Sequence, residues 1–363
     1  MRRVPVINYD GLPLMPTKAS RARRWLRDGK AKVYPNDLGI FAIQLVAPAS
    51  GNETQDIVAG VDPGKSYSGI GVQSAKATHF KAHVILPFSR VKKRMETRAI
   101  LRRARRGRRI DRTVPNESRA HREKRFDNRV QAKLPPSIRA NRQLELRIIQ
   151  ELQKLFPITA VVYEYVKART EQNGKGFSPV MVGQKAMLEW LSALVTVKTQ
   201  FGWETSRLRK HLGLSKTKDK AALDPAAHAN DGIALAASHF MAYRQVQDTR
   251  SHGHVWTGTV PLTDGPFVII QRPPLYRRQL HFENPQQGNT RKRKGGTVTP
   301  WGLRSGDFVQ AKRAGKTLRG WIGGYTEKLK LVSIYDAAWK RLGQFALSKV
   351  QLLQRSTGLC VTA

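Results

Sequence analysis

The chain has 363 residues, of which 65 are Lys or Arg and 26 are Asp or Glu, so its formal net charge is +39. So large an excess of positive charge repels itself unless a polyanion neutralises it. This argues against a free-standing small-molecule enzyme and indicates nucleic acid as the partner. The single cysteine, Cys360, excludes a disulfide framework and cysteine-based zinc sites.

Length and hydropathy predict a protein with its own buried cores. Hydrophobic residues make up 40% of the chain, and the length predicts two or three domains at about 100–200 residues each. No apolar run approaches the about 18 residues of a membrane span, and the N-terminal sequence lacks the apolar stretch of a signal peptide. We therefore expect a cytoplasmic protein with no membrane partner.

The first 50 residues predict a small unit of strands and one helix. A short strand over residues 4–8 precedes the sequence PLMP at 13–16, and a helix over 18–30 follows, with Gly29 as its stop. Two further strands are predicted over residues 31–34 and 41–45.

A second unit is predicted to begin with a buried strand over residues 57–61 that ends in the turn VDPG at 61–64. Residues 69–72 and 83–86 would continue it as an antiparallel meander. Between Arg90 and Arg109 eleven residues are basic and one is acidic. A helix here would place five arginines on one stripe for phosphate contact: Arg94, Arg98, Arg102, Arg105 and Arg109. The alternative is a disordered cationic segment.

Downstream patterns predict a helix capped by Ser137 that ends before Pro157, a strand over residues 158–166 and a helix over 187–201. Asp224, as N-cap before Pro225, opens a further helix that should run to about Tyr243. After residue 296, short alternating runs predict a small antiparallel barrel. The tryptophans are interpreted as core or interface residues rather than a base-stacking ladder: Trp190, Trp203, Trp256, Trp301, Trp321 and Trp339.

Acidic residues at the ends of buried elements are the most informative ones in so basic a chain. Asp62 follows one strand and Glu164 lies in another, while His228 and Asp231 are three positions apart and share a helix face. Clustered carboxylates can hold two Mg²⁺ ions that activate a water against a phosphodiester, and a neutral imidazole can accept the proton of that water. Each residue taken alone also fits a structural role. Asp62 would be an ordinary turn residue and Glu164 would point outward from a half-exposed strand. His228 and Asp231 would be a solvated pair. Their order along the chain favours catalysis, and Asp224 suits a cap better than a ligand.

The same segments resemble the transposon-encoded IscB and IsrB proteins. PLMP at 13–16 is similar to their PLMP domain, VDPG at 61–64 with GIG at 69–71 to their first RuvC segment, and the arginine-rich stretch to their bridge helix. The second and third RuvC segments resemble VYE at 162–164 and HANDGIA at 228–234. No His-Asn-His pattern lies between Glu164 and Asp231, so the chain resembles the HNH-lacking IsrB family.

The resemblance implies an α/β protein with an RNase H-like RuvC core split by an arginine-rich bridge helix. A PLMP domain would precede this core and a small C-terminal β-barrel would follow it. The implied domains are PLMP, 1–54; RuvC segment I, 55–89; bridge helix region, 90–135; RuvC segment II, 136–170; RuvC segment III, 171–245; linker and nucleic-acid-contacting region, 246–300; and a barrel that contacts the target-adjacent motif, 301–363.

The implied activity is that of an omega-RNA-guided nickase that cuts the displaced non-target DNA strand next to an adjacent motif. Asp62, Glu164 and Asp231 would hold two Mg²⁺ ions, for which Mn²⁺ can substitute, and His228 would activate water. The protein would be a monomer in a cytoplasmic ribonucleoprotein that associates with the nucleoid when bound to DNA. Two alternatives stay open: a guide-free, structure-specific RuvC-like nuclease, and a non-catalytic RNA-binding scaffold.

Overall fold

The computed structural model describes residues 2–108, 110–119, 133–167, 178–216, 224–248, 251–273, 299–313 and 315–362. The chain is a mixed α/β protein that divides into two compact units, Met1–Ile269 and Ile270–Ala363. Within the described residues, no helix is long and apolar enough to span a membrane.

The first unit begins with a four-stranded sheet covered by one helix. Its strands lie in the order β2-β1-β4-β3, and Gly29 ends the helix in the left-handed conformation with φ 67°, as predicted. Val4, Val6 and Ala22 are in its core. The elements are β1 Arg3–Ile7, β2 Pro13–Lys18, α1 Ala19–Arg27, β3 Ala31–Tyr34 and β4 Ala42–Leu45.

The rest of this unit contains six strands that lie in the order β12-β7-β6-β5-β8-β9, and the separate hairpin of β10 and β11. The predicted meander is confirmed, since β5, β6 and β7 are antiparallel neighbours, while β8 and β9 run parallel to β5. Its elements are β5 Ile57–Asp62, β6 Tyr67–Ser74, β7 Ala77–Ile85, α2 Phe88–Arg108, α3 Pro136–Gln153, β8 Ile158–Tyr165, α4 Pro179–Ser192, β9 Thr196–Phe201, α5 Gly202–His211, α6 Pro225–Ser238, β10 Ala242–Asp248, β11 Ser251–Thr257 and β12 Phe267–Gln271.

Three sequence predictions about helix bounds are wrong. The helix predicted over residues 187–201 stops at Ser192, and its second half is strand β9, where β-branched residues such as Val197 pair with β8. The helix from Asp224 ends at Ser238 because the hairpin of β10 and β11 begins at Ala242. Ser137 lies inside the first turn of α3, whose N-cap is Pro135.

Helix α6 lies so close to β5 and β6 that three glycine positions on these strands leave no room for a Cβ atom. A Cβ on Gly60 of β5 would lie 2.1 Å from the carbonyl oxygen of Gly232 in α6. A Cβ on Gly69 would lie 1.7 Å from the carbonyl oxygen of His228, and one on Gly71 would lie 2.6 Å from the amide nitrogen of Ile233. Glycine at these positions therefore sets the height of α6 above β5 and β6.

Replacing Gly60 with Ala should destabilise the protein by about 1–3 kcal/mol, because the new methyl group meets backbone atoms that cannot rotate away. The measurement is the midpoint of urea unfolding. Gly51→Ala is the control, since a Cβ there meets nothing within 4 Å. Equal midpoints for both variants would show that α6 is not held against the sheet in this way.

The second unit is an antiparallel sheet with its own core. Five strands lie in the order β16-β15-β14-β13-β17, and all four neighbouring pairs are antiparallel. Its core includes Val309, Ile322 and Ile334. The elements are β13 Phe308–Arg313, β14 Lys316–Thr326, β15 Leu331–Tyr335, β16 Arg341–Ala346, a 3-10 helix Leu347–Lys349, β17 Val350–Gln354 and β18 Cys360–Thr362.

Candidate functional site

Asp62 and Glu164 occupy matching positions on two adjacent parallel strands. The ladder between β5 and β8 pairs Val61 with Tyr163, and each acid is the next residue along its strand. Neighbouring strands lie about 4.8 Å apart, and alternate residues share a face. Asp62 therefore lies on the face of Gly60, which α6 covers, and Glu164 lies beside it.

Asp231 approaches from the helix that covers this face. It lies in α6, one residue before the Gly232 that meets β5, and only 2% of it is exposed. Both of its carboxylate oxygens are bound by cations. Arg209 of α5 donates from Nη1 to Oδ1, and the Nζ of Lys216 lies 2.5 Å from Oδ2.

The three acids are close enough to perturb one another. Burial, and then the negative charges of Glu164 and Asp231, raise the pKa of Asp62 well above its usual range. Burial also raises the pKa of Glu164, with Asp231 adding to the shift and a hydrogen bond from Thr205 opposing it. The structure thus brings Asp62, Glu164 and Asp231 together.

The chemistry of this donor set fits divalent cations. Carboxylate oxygens are the ligands that Mg²⁺ prefers, and a cation would relieve the repulsion that raises these pKa values. Among the described residues, no three acidic, His or Cys side chains are already arranged around one ion position. Arg209 and Lys216 supply positive charge to Asp231 in this arrangement.

The hydrogen bond that His228 makes does not involve the three carboxylates. Its Nδ1 is 3.1 Å from the carbonyl oxygen of Asp224, so this nitrogen is the donor, and in the neutral ring the lone pair lies on Nε2. Its ring centroid is 4.9 Å from that of His83 and 5.5 Å from that of Tyr67. Within the described chain, no hydrogen bond or ion pair joins His228 to the three acids.

Asp224 is a helix cap, as the sequence predicts. Its carboxylate accepts hydrogen bonds from the amides of Ala226 at 3.0 Å and Ala227 at 3.1 Å, at the start of α6. Asp231 is therefore the acid of this helix that faces Asp62.

Residues 4–178 match the family model described as RRXRR protein. This range is just under half of the chain. The pattern itself, two arginines on either side of one residue, occurs at positions 102–106. No curated protein matches the chain.

Two solved structures of RuvC from Thermus thermophilus also resemble it. One, in complex with a Holliday junction substrate, has 16% sequence identity and a TM-score of 0.28. The match covers 51% of this chain and 93% of the RuvC chain. The other has 17% identity and a TM-score of 0.26, with the same coverage.

The arginine-rich segment is helical, as predicted. Helix α2 runs for 21 residues, and Arg98, Arg102 and Arg105 of the proposed stripe are exposed. Arg94 is half-buried, and burial followed by the charges of Arg90 and Arg98 lowers its pKa to about 10. Arg109 lies outside the described residues.

His83 is a buried histidine beside this site that the sequence did not single out. It is paired with Gly69 across β6 and β7, and Gly69 is in turn paired with Asp62. Burial, and then His228, lower the pKa of His83 to about 4. Neither of its ring nitrogens has a hydrogen-bond partner among the described residues. Its only sequence signal is a histidine within an apolar strand.

Helix α3 fixes the turn that follows Asp62. Arg142 donates from Nη2 to the carbonyl oxygen of Gly64 at 2.9 Å, and Asn141 donates from Nδ2 to that of Lys65 at 2.8 Å. Arg142 also pairs with Glu145 at 3.1 Å and donates to the Tyr163 hydroxyl at 2.7 Å. Both members of the ion pair are buried, so this network anchors the two strands that carry Asp62 and Glu164.

Proposed function

We propose that the protein is a divalent-metal-dependent nuclease of the RuvC type, with an RNase H-like core, that nicks DNA under the guidance of an omega RNA. The observation that carries the proposal is that Asp62 and Glu164 lie side by side on β5 and β8, under the helix that carries Asp231, within a chain of net charge +39. Three mutually repelling carboxylates cost stability unless cations offset them, so a functional role accounts for them better than a structural one.

The three carboxylates would hold two Mg²⁺ ions, for which Mn²⁺ can substitute. Such a pair of ions activates a water and stabilises the leaving oxygen of a phosphodiester. His228 would accept the proton of that water at Nε2, because its Nδ1–H donates to the Asp224 carbonyl oxygen and fixes the tautomer. The half-buried Arg209 and the exposed Lys216, which pair with Asp231, would supply positive charge beside the phosphate.

The basic surfaces would bind the nucleic acids by their backbones. In a guided nuclease, base pairing carries the sequence information and the protein recognises the shape and phosphates of the heteroduplex. The exposed Arg98, Arg102 and Arg105 of α2 suit that contact. The 66 residues between Glu164 and Asp231 contain no His-Asn-His pattern. The guide-paired strand would therefore stay intact and the displaced strand would be cut.

The test is cleavage by the purified ribonucleoprotein of a duplex that matches the variable end of its copurifying RNA. We expect a nick in the displaced strand only, which requires Mg²⁺ and disappears after ribonuclease treatment of the complex. Cleavage of branched DNA by the RNA-free chain would instead identify a guide-free nuclease. No cleavage under any of these conditions would leave an RNA-binding scaffold and refute the proposal.

A further inference from the structure

We propose that a single DNA strand binds across a cluster of aromatic rings beside Glu164, with its unpaired bases stacked on the exposed rings of Trp203 and Phe201. This inference rests on the proposed function, since it names the surface that leads the strand to the three carboxylates. The rings belong to β9, α5, β10 and β11 of the first unit. We call them the aromatic platform: Phe201, Trp203, Tyr243, His254 and Trp256.

The platform is a connected set of rings. Phe201 and Trp203 are stacked, with centroids 6.4 Å apart and planes at 12° to each other. The Trp203 and Tyr243 centroids are 5.9 Å apart. Tyr243 in turn lies 5.2 Å from His254 and 4.9 Å from Trp256. Contacts of this kind fix the rings as one surface rather than as independent side chains.

Part of this surface faces outward: Trp203, interpreted as a core or interface residue, is not in the core, while Tyr243 and Trp256 are half-buried. Trp203 is 52% exposed and Phe201 is 38% exposed. Single exposed apolar residues are ordinary, but a contiguous exposed apolar patch indicates a binding surface. Trp203 occupies the first turn of α5, where its backbone is already fixed, so the chain has ordered a large ring that it does not bury.

A groove joins the platform to the candidate site. It has a volume of about 520 Å³, and its lining includes Glu164, Lys167, Phe201 and Trp203. A Cβ on Gly202 would lie 3.0 Å from Oε1 of Glu164, so the carboxylate lies close to the residue before Trp203. A strand that stacks on Trp203 is thereby delivered beside Glu164.

The charges around the rings favour a nucleic acid over an apolar protein segment. The Arg207 guanidinium lies 5.4 Å from the Trp203 ring centre, and its Nη1 donates to the Tyr243 hydroxyl at 3.0 Å. Lys167 lines the groove and is exposed. The acid of this turn, Glu204, is turned back to accept from the Phe201 amide at 2.7 Å. Rings bordered by cations are the pattern that binds single strands, by stacking and by phosphate contact.

The occupant must be unpaired, because the bases of a duplex are stacked on each other and present no free face to a ring. Among single strands we commit to DNA, since the groove is lined by Glu164, one of the three carboxylates proposed to cut it. A displaced strand is unpaired along its length, and stacking tolerates any sequence because every base has a π-face.

The test is the affinity of the full-length Asp62→Asn chain, which cannot cut, for a fluorescent ten-nucleotide oligothymidylate at several salt concentrations. Adding Trp203→Ala should weaken binding about 5- to 100-fold, the range for loss of one stacked base. The slope of log affinity against log salt should stay the same, because no phosphate contact is removed. Trp203→Phe should retain most of the affinity.

Tyr9→Ala is the matched control, since Tyr9 is 54% exposed in the turn that follows β1, and it should bind as the parent does. Equal affinity of the Trp203→Ala and Tyr9→Ala chains would overturn the proposal, provided that both unfold at the parent's midpoint. A loss confined to oligouridylate would overturn the assignment to DNA. If the parent is a dimer that the Trp203→Ala substitution dissociates while the DNA affinity is unchanged, the proposal is overturned and the aromatic platform is the contact with a second copy of the chain.

These results are separate from those that test the proposed function. If Trp203-dependent DNA binding is found but no guide-dependent nick is ever seen, the binding site stands and the nickase does not. If the Trp203→Ala ribonucleoprotein nicks DNA as fast as the wild type at subsaturating substrate, the nickase stands and the site is refuted.

Discussion

The Asp62→Asn protein will nick its target more than about 100-fold more slowly than the wild type. Even the outer partners of metal ligands are worth about 10- to 100-fold, and Asp62 would be a direct ligand. The amide keeps the shape of the side chain but removes the charge that a divalent cation needs. The measurement is the single-turnover rate of nicking, with Asp264→Asn, at an exposed acid paired with Arg2, as the control. Undiminished cleavage by Asp62→Asn would remove this residue from the mechanism.

The same substitution should stabilise the protein in the absence of metal. Burial and the neighbouring acids raise the pKa of Asp62 in the folded state above its unfolded value of about 3.9. The folded state therefore holds its proton more tightly, and the free energy of unfolding falls as pH rises from about 4 through the folded-state pKa. Above that range, metal-free Asp62→Asn should melt at a higher temperature than the wild type. Identical pH profiles of melting temperature would contradict the burial of Asp62 among acids.

Arg142→Met should destabilise the protein by about 3–5 kcal/mol, because it leaves Glu145 charged and buried without its partner. The two side chains are 1% and 0% exposed, and burial already raises the pKa of Glu145 above its ordinary value. Chemical unfolding measures the loss. Arg139→Met, at an exposed position of the same helix, should have little effect.

A double variant separates the lost ion pair from lost packing. Arg142→Met with Glu145→Leu removes both charges, so it should recover much of the stability that Arg142→Met loses. Recovery will be partial because Gly64 and Tyr163 still lose the donor that Arg142 supplied. A double variant as unstable as the single one would show that the packing of Arg142, not the ion pair, holds α3 to the sheet.

Local chemistry made much of the fold predictable. The strand before Asp62, the strand over residues 69–72 and the cap at Asp224 each depend on neighbours in sequence, and each prediction holds. The second half of the helix predicted over residues 187–201 failed for the opposite reason. The helical spacing of apolar residues continued to Leu194 and Val195, but the pairing of residues 196–201 with β8 made them a strand.

The acidic residues of the site could be predicted from the sequence, but the residues that surround them could not. Asp62, Glu164 and Asp231 stood out because acids are rare in this chain and these follow or lie in buried elements. Arg209 and Lys216 could not be distinguished from the other 63 basic residues, since only the folded chain shows that they bind Asp231. His83 and Trp203 likewise gain meaning only from what lies beside them. Exposure, in particular, is a property of the fold and not of a residue type.

The central claim is that Asp62, Glu164 and Asp231 together hold divalent cations, and Mn²⁺ binding followed by electron paramagnetic resonance tests it most directly. The wild-type chain should bind Mn²⁺ tightly, Mg²⁺ should compete for the same site, and Asp62→Asn, Glu164→Gln and Asp231→Asn should each lose that binding. The exposed control Asp264→Asn should bind Mn²⁺ as the wild type does. Unchanged Mn²⁺ affinity and stoichiometry in all three variants would contradict the account.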